Sequence, residues 1–99
     1  MGNGRRLDRE GALELLRSQH TFPGVYTFRV VVRPDFTTGV VTAIAAALGE
    51  RGSVRDVVER ASRAGNYMSL HVQADMDGAE VVLDVYDVIG KLDGVVMSL

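Results

Sequence analysis

The chain has 99 residues, 46% of them hydrophobic, a net charge of −2 and no cysteine. That is enough for one domain around one modest core, and too little for a second domain enclosing a substrate cleft. The composition excludes disulfides, thiolate zinc sites and a cysteine nucleophile; no apolar run reaches the roughly 18 residues of a membrane span, and the acidic balance gives no general attraction to nucleic acid.

Charge is polarised along the chain. Residues 1–63 carry +3, whereas residues 64–99 carry −5 with Lys91 as their single cation. Met1-Gly2-Asn3-Gly4-Arg5-Arg6 is followed by Leu7-Asp8-Arg9-Glu10 rather than by the apolar stretch of a signal peptide. This pattern predicts a disordered N-terminus over residues 1–7, one domain over residues 8–99 and a cytoplasmic location.

Asp8 is placed to cap a short helix over residues 9–18, with Leu13 and Leu16 as its apolar contacts. Gly11 costs this helix about 1 kcal/mol relative to alanine, so it must dock to persist. Thr21-Phe22-Pro23-Gly24 breaks the chain. Residues 25–33 read as a strand, with Tyr26, Phe28, Val30 and Val32 on one face and Thr27, Arg29, Val31 and Arg33 on the other. Asp35 or Thr37 can cap a helix running to Leu48, whose apolar side is Val40, Val41, Ile44, Ala47 and Leu48.

Residues 53–63 are locally ambiguous. Val54, Val57, Val58 and Ala61 fit helical spacing, and Ser53-x-x-Asp56 resembles a capping box. Read as a strand, the same residues pair as Val54/Val58 and Val57/Ala61. Gly65-Asn66 suits a tight turn needing positive φ. Residues 67–75 alternate cleanly: Met68, Leu70, Val72 and Ala74 share one face, and Tyr67, Ser69, His71 and Gln73 share the other. Asp77 can cap a helix to Ile89 with Val82, Val85, Tyr86 and Ile89 inward, Gly90 ending it and Lys91 near its C-terminal dipole. Residues 95–99 make a last strand.

A strand over residues 53–63 completes a βαββαβ order, the split βαβ unit. Two right-handed crossovers then place both helices on one face of a four-stranded antiparallel sheet, and strands with one apolar face suit a sheet covered on one side. The predicted fold is therefore an α+β ferredoxin-like sandwich with an added short N-terminal helix.

Phe22-Pro23 before the first strand, Ser62-Arg63-Ala64-Gly65-Asn66-Tyr67-Met68-Ser69 entering the third, and Gly90-Lys91-Leu92-Asp93 before the last together resemble the bacterial YbeD-like proteins, a family of unknown function. The resemblance covers residues 13–99, and the Gly-Asn-Tyr-x-Ser run is its most specific element. It implies a ferredoxin-like fold similar to ACT regulatory domains, a strand over residues 53–63 and a cytosolic protein; it supplies no catalytic residues. ACT domains that bind amino acids typically use a glycine in the first strand-to-helix loop. Here residues 33–38 hold none and Gly39 comes only later, which speaks against amino-acid binding.

No catalytic centre emerges from the residues. His20 and His71 are far apart and have no metal-ligand spacing, so they read as surface or packing histidines, and no cofactor is expected. No acid sits in an apolar run that would raise its pKa, and no acid completes the i, i+2 pair Ser69 and His71. Gly2-Asn3-Gly4 follows no strand and is no nucleotide fingerprint.

Two surfaces stand out. Asp77, Glu80, Asp84, Asp87 and Lys91 recur at helical steps on one exposed face, either solvated or a docking surface for a basic partner. The second surface is the uncovered sheet face with the turn at its end, where Arg29, Arg33, Arg63, Asn66, Tyr67 and His71 are the candidate interaction residues. The resulting expectation is a small non-enzymatic binding or regulatory adaptor acting on a protein partner, with a homodimer also open. The alternative is an RNA-binding module on the open sheet face, since Arg63-Ala64-Gly65-Asn66-Tyr67 faintly echoes an RNA-recognition signature. Against it stand the negative charge and the inward direction of Tyr26 and Phe28. A small-molecule sensor comes third.

Overall fold

The computed structural model describes residues 8–98, so the expected disorder over residues 1–7 and the last residue of the final strand lie outside the described residues. Along the chain, α1 (Arg9–Gln19) leads into β1 (Gly24–Val32), α2 (Thr37–Leu48), β2 (Gly52–Ala61), β3 (Met68–Met76), α3 (Ala79–Ile89) and β4 (Val95–Ser98). The strands order as β2-β3-β1-β4, and every neighbouring pair is antiparallel. Each crossover helix therefore joins two parallel strands with a third strand between them, which is the ferredoxin-like arrangement.

The sheet is held centrally by β1 and β3. They pair without interruption from Gly24 opposite Met76 to Val32 opposite Met68. Period-two alternation sends Phe28, Val30 and Val32 inward beside Leu70, Val72, Ala74 and Met76, where they meet Val40, Ile44 and Leu48 of α2 and Val81, Val82, Val85 and Ile89 of α3. Each such side chain contributes roughly 1.5–3 kcal/mol when fully buried. Exposed ion pairs contribute at most about 1 kcal/mol each, so this apolar layer carries the fold.

Residues 52–61 form a strand, as the topology requires, and the bulge within it explains why the local pattern looks helical. Val54 lies opposite Ala74 but Asp56 lies opposite Gln73, so Arg55 is an extra residue. A bulge shifts the alternation by one. Val54, Val57 and Ala61 consequently face inward together, opposite Ala74, Val72 and Met68, while Val58 turns outward. The expected Val54/Val58 pairing is thus corrected: an i, i+3 spacing here marks a bulged strand. Arg55 itself holds Asp75 bidentately, through Nη2 at 2.9 Å and Nε at 3.2 Å.

Asp8 caps α1 as expected, its carboxylate accepting the Gly11 N–H at 2.8 Å. The two other expected caps are replaced by backbone turns. Pro34–Phe36 makes a 3-10 turn leading into α2, Phe36 holds the N-cap position without a side-chain bond, and the Thr37 hydroxyl donates back to the Pro34 carbonyl at 3.0 Å. At α3 the N-cap is Gly78, because the Asp77 N–H donates to the Arg51 carbonyl and extends the sheet edge. The β2–β3 connection is a longer loop than a two-residue turn: the Ser62 N–H and the Tyr67 carbonyl close it at 2.9 Å, Gly65 alone takes positive φ, and Asn66 does not. In β4 a second bulge at Val96 puts Met97 on the open face opposite Val31, and Ser98 on the inner side opposite Val30.

The acidic stripe on α3 is partly paired within the chain, at Glu80 and Asp84. Asp84 accepts from Arg9 of α1 at 3.1 Å and from Arg51 at 2.8 Å, and Glu80 accepts from Arg17 of α1 at 2.6 Å. The polarised charge of the chain is therefore used internally: basic residues from its first half dock onto acids of its second. Only Leu13 of α1 is buried, with Leu16 packed against the core edge. Asp87 makes no ion pair among the described residues.

Two predictions follow from these contacts. Gly94 has φ +83°, and a Cβ there would collide with the Phe36 ring. Gly94→Ala should cost about 2 kcal/mol or more in denaturant melts. Adding Phe36→Ala should relieve the collision but not the backbone strain, so the two losses will not sum. Separately, Asp84→Lys should speed amide exchange across α1 while leaving β1 and β3 protected, at a cost under about 1 kcal/mol. Hydrogen bonds from Arg51 and then Arg9 hold the Asp84 carboxyl below its usual range. The stabilisation is therefore complete above the unfolded carboxylate pKa of about 3.9 and fades as pH falls through the lower folded value. Exchange protection of α1 measured against pH should follow that course.

Candidate functional site

With both crossover helices on one face, the other face of the sheet is uncovered. Register places its residues in cross-strand rows. Arg29, His71 and Val58 form one row; Val31, Ser69 and Arg60 form the next. Shallow recesses lie between these side chains, one of about 330 Å³ lined by Val58, Arg60, Ser69 and His71. Val58 is 54% exposed, and at the β4 edge Met97 is 51% exposed.

At the end of the sheet where β1 finishes and β3 begins, two loops meet. Arg33, Pro34, Asp35 and Phe36 from the β1–α2 connection face Gly65, Asn66 and Tyr67 from the β2–β3 connection across an open recess of about 540 Å³. The Arg33 N–H donates to the Gly94 carbonyl at 2.8 Å, and the Tyr67 N–H donates to the Ser62 hydroxyl at 3.1 Å. The backbones of both loops are thereby anchored, while Phe36 and Tyr67 stay 38% and 45% exposed. Tyr67 does leave the core, as alternation demands.

Arg29, Arg33, Asn66, Tyr67 and His71 thus lie on one continuous surface, with Arg63 in the same β2–β3 loop. Glu80, Asp84 and Asp87 lie on α3, on the far side of the sheet. Phe36 and Val58 join the surface without having been singled out by sequence. Phe36 had a legible signal, an aromatic inside a Pro-Asp turn with no helical face to serve. Val58 had none, because only the bulge turns it outward.

No group of three metal-ligating side chains occurs among the described residues. His20 is spent on packing, with its ring edge-on to Tyr26 at 4.9 Å. The Tyr26 and Tyr86 hydroxyls bond to each other at 3.1 Å beside Phe28. Burial, followed by that hydrogen bond, pushes the Tyr86 hydroxyl well above the ordinary range, only partly offset by the charge of Arg29. No helix among the described residues is long and apolar enough to cross a membrane.

Comparison with solved structures supports the fold. The solution structure of the C-terminal domain of the MgtC protein from Mycobacterium tuberculosis matches with a TM-score of 0.64 at 19% identity, covering 81% of this chain and 87% of that one. No curated protein matches the chain. A family model does, over residues 17–99, leaving most of α1 outside it. The βαββαβ sandwich and the Gly-Asn-Tyr-x-Ser loop therefore have a family home: the chain belongs to the YbeD family, described as Protein of unknown function (DUF493).

Proposed function

We propose that this chain is a small non-enzymatic adaptor or regulatory domain of the cytoplasm, working through protein–protein contacts on its open sheet face and the loop recess at the end of that face. The observation that carries this reading is the division of its surfaces. The acids of α3 nominated by sequence are largely occupied by α1 and Arg51, whereas the sheet side leaves two anchored aromatics, Phe36 and Tyr67, exposed beside Arg33. Aromatic and arginine side chains on a held backbone are the residue types that dominate protein interfaces, and preformed loops reduce the ordering cost of binding.

The test separates contact from structure. Tyr67→Ala should change unfolding free energy by less than about 1 kcal/mol, because nearly half of the side chain is already in water. A photocrosslinking side chain at position 67 or 58, expressed in the native host, should yield discrete protein adducts, and one at Asp87 should not. Adducts from position 87 alone, or a melting temperature that collapses in Tyr67→Ala, would refute the reading.

A further inference from the structure

The chain is acidic overall, yet its open sheet face is not. All ion pairs among the described residues take their cations from Arg9, Arg17, Arg51 and Arg55. The arginines left without an ion pair there are Arg29, Arg33, Arg60 and Arg63. They gather at one half of the open face and the loops beyond it, around His71. Arg29 and Arg60 sit two strands apart and one pleat repeat along, so their Cα atoms are about 12 Å apart. Of the acids on this side, Asp56 lies further down β2 opposite Gln73, Asp35 lines the recess and Asp75 is held by Arg55; Glu59, between Val58 and Arg60, alternates to the inner face opposite Leu70. Among the cations lie Val31 and Val58, and Met97 flanks Val31 at the β4 edge.

We propose that this basic half-face docks an acidic protein segment in extended conformation, its carboxylates meeting Arg29, Arg60 and Arg33 and its apolar side chains meeting Val31, Val58 and Met97. The inference rests on the protein-contact reading and adds the chemistry of the partner. Charge complementarity selects an anion, and the chemistry between the charges selects a protein over a nucleic acid. Single-stranded RNA is held on a sheet by aromatic side chains that stack its bases. Here the outward residues of β1 and β3 include no Phe, Tyr or Trp, their one ring being the imidazole of His71; Tyr26 and Phe28 are turned inward, and Phe36 and Tyr67 stand in the loops at the sheet end rather than on the strands. Isolated valines and a methionine offer bases no stacking platform but suit the side chains of a peptide. Arg29 opposite His71 and Arg60 opposite Ser69 leave the small Ser69 as the low point between cations, which is where an extended backbone can approach the sheet.

The experiment uses the full chain and fluorescent probes of stated composition: a short peptide alternating Glu with Leu, its counterpart alternating Lys with Leu, and an oligouridine of similar length. The Glu-Leu peptide should bind. Its affinity should fall by about tenfold or more when salt is raised from about 0.1 M to about 1 M, which shortens the Debye length from about 10 Å to about 3 Å. Arg29→Glu with Arg60→Glu should abolish binding, while Arg29→Lys with Arg60→Lys retains most of it and Asp87→Lys changes nothing; thermal melts of all three confirm folding. Equal binding of the Lys-Leu peptide, tighter binding of oligouridine, or loss on the lysine variant alone would overturn the proposal. Failure here with protein adducts still forming at positions 58 and 67 would discard the acidic partner and leave the contact surface standing; loss of those adducts would discard both.

Discussion

Everything else in the molecule hangs on the unbroken antiparallel pairing of β1 with β3. Nine consecutive residue pairs bring Phe28, Val30 and Val32 alongside Val72, Leu70 and Met68 on one face, and those side chains are what α2 and α3 pack against. Because pairing is continuous, the inner face is a full apolar sheet, and the outer face is fixed by default as the complementary row Thr27, Arg29, Val31 opposite Gln73, His71, Ser69. A slip of one residue would exchange the two faces completely. The core and the candidate contact surface are therefore two consequences of one register.

The irregularities sit at the periphery, where they cost little and decide what the surface presents. The bulge at Arg55 lets β2 keep Val54 and Val57 on the core while exposing Val58 and Arg60 beside His71 and Ser69. The bulge at Val96 turns Met97 outward at the other edge. Bulges bend and twist the strand that contains them, and both edge strands of this sheet have one. At the sheet end, Phe36 lies over Gly94, which can carry no larger side chain there, so the β1–α2 loop is held in place by the loop before β4. The recess of Arg33, Phe36 and Tyr67 owes its shape to these two contacts rather than to any secondary-structure element.

Charge is distributed with the same economy. On the helix side, arginines of α1 and Arg51 neutralise Glu80 and Asp84 and locate a helix that buries one leucine. Exposed pairs of this kind are weak individually, so α1 is an attachment to a fold that stands on its core; the family match begins inside α1, at residue 17. On the sheet side Arg55 pairs with Asp75, whereas Arg29, Arg33, Arg60 and Arg63 make no ion pair among the described residues. A protein of net charge −2 thereby presents a basic surface, a property that net charge conceals.

Local sequence was sufficient wherever a residue's environment follows from its immediate neighbours. The alternation in β1 and β3, the apolar sides of α2 and α3, the Asp8 cap and the outward direction of Tyr67 could all be read in this way, because period two and period 3.6 are properties of the backbone itself. The element order together with the handedness of crossovers was enough to turn residues 52–61 from an apparent helix into a strand. Tertiary structure alone decided the rest. A bulge exists only relative to a partner strand, so the facing of Val58, Arg60 and Met97 was invisible in the chain. Ion pairs across 75 residues, such as Arg9 with Asp84, depend on which surfaces the fold apposes, so an acidic stripe that looked open is partly paired within the chain. The caps expected at Asp35 or Thr37 and at Asp77 yielded to the 3-10 turn at Pro34–Phe36 and to the long-range bond from the Asp77 N–H to the Arg51 carbonyl. What the chain encoded locally was its core; which arginines and acids pair with one another was decided only when the fold brought distant segments together.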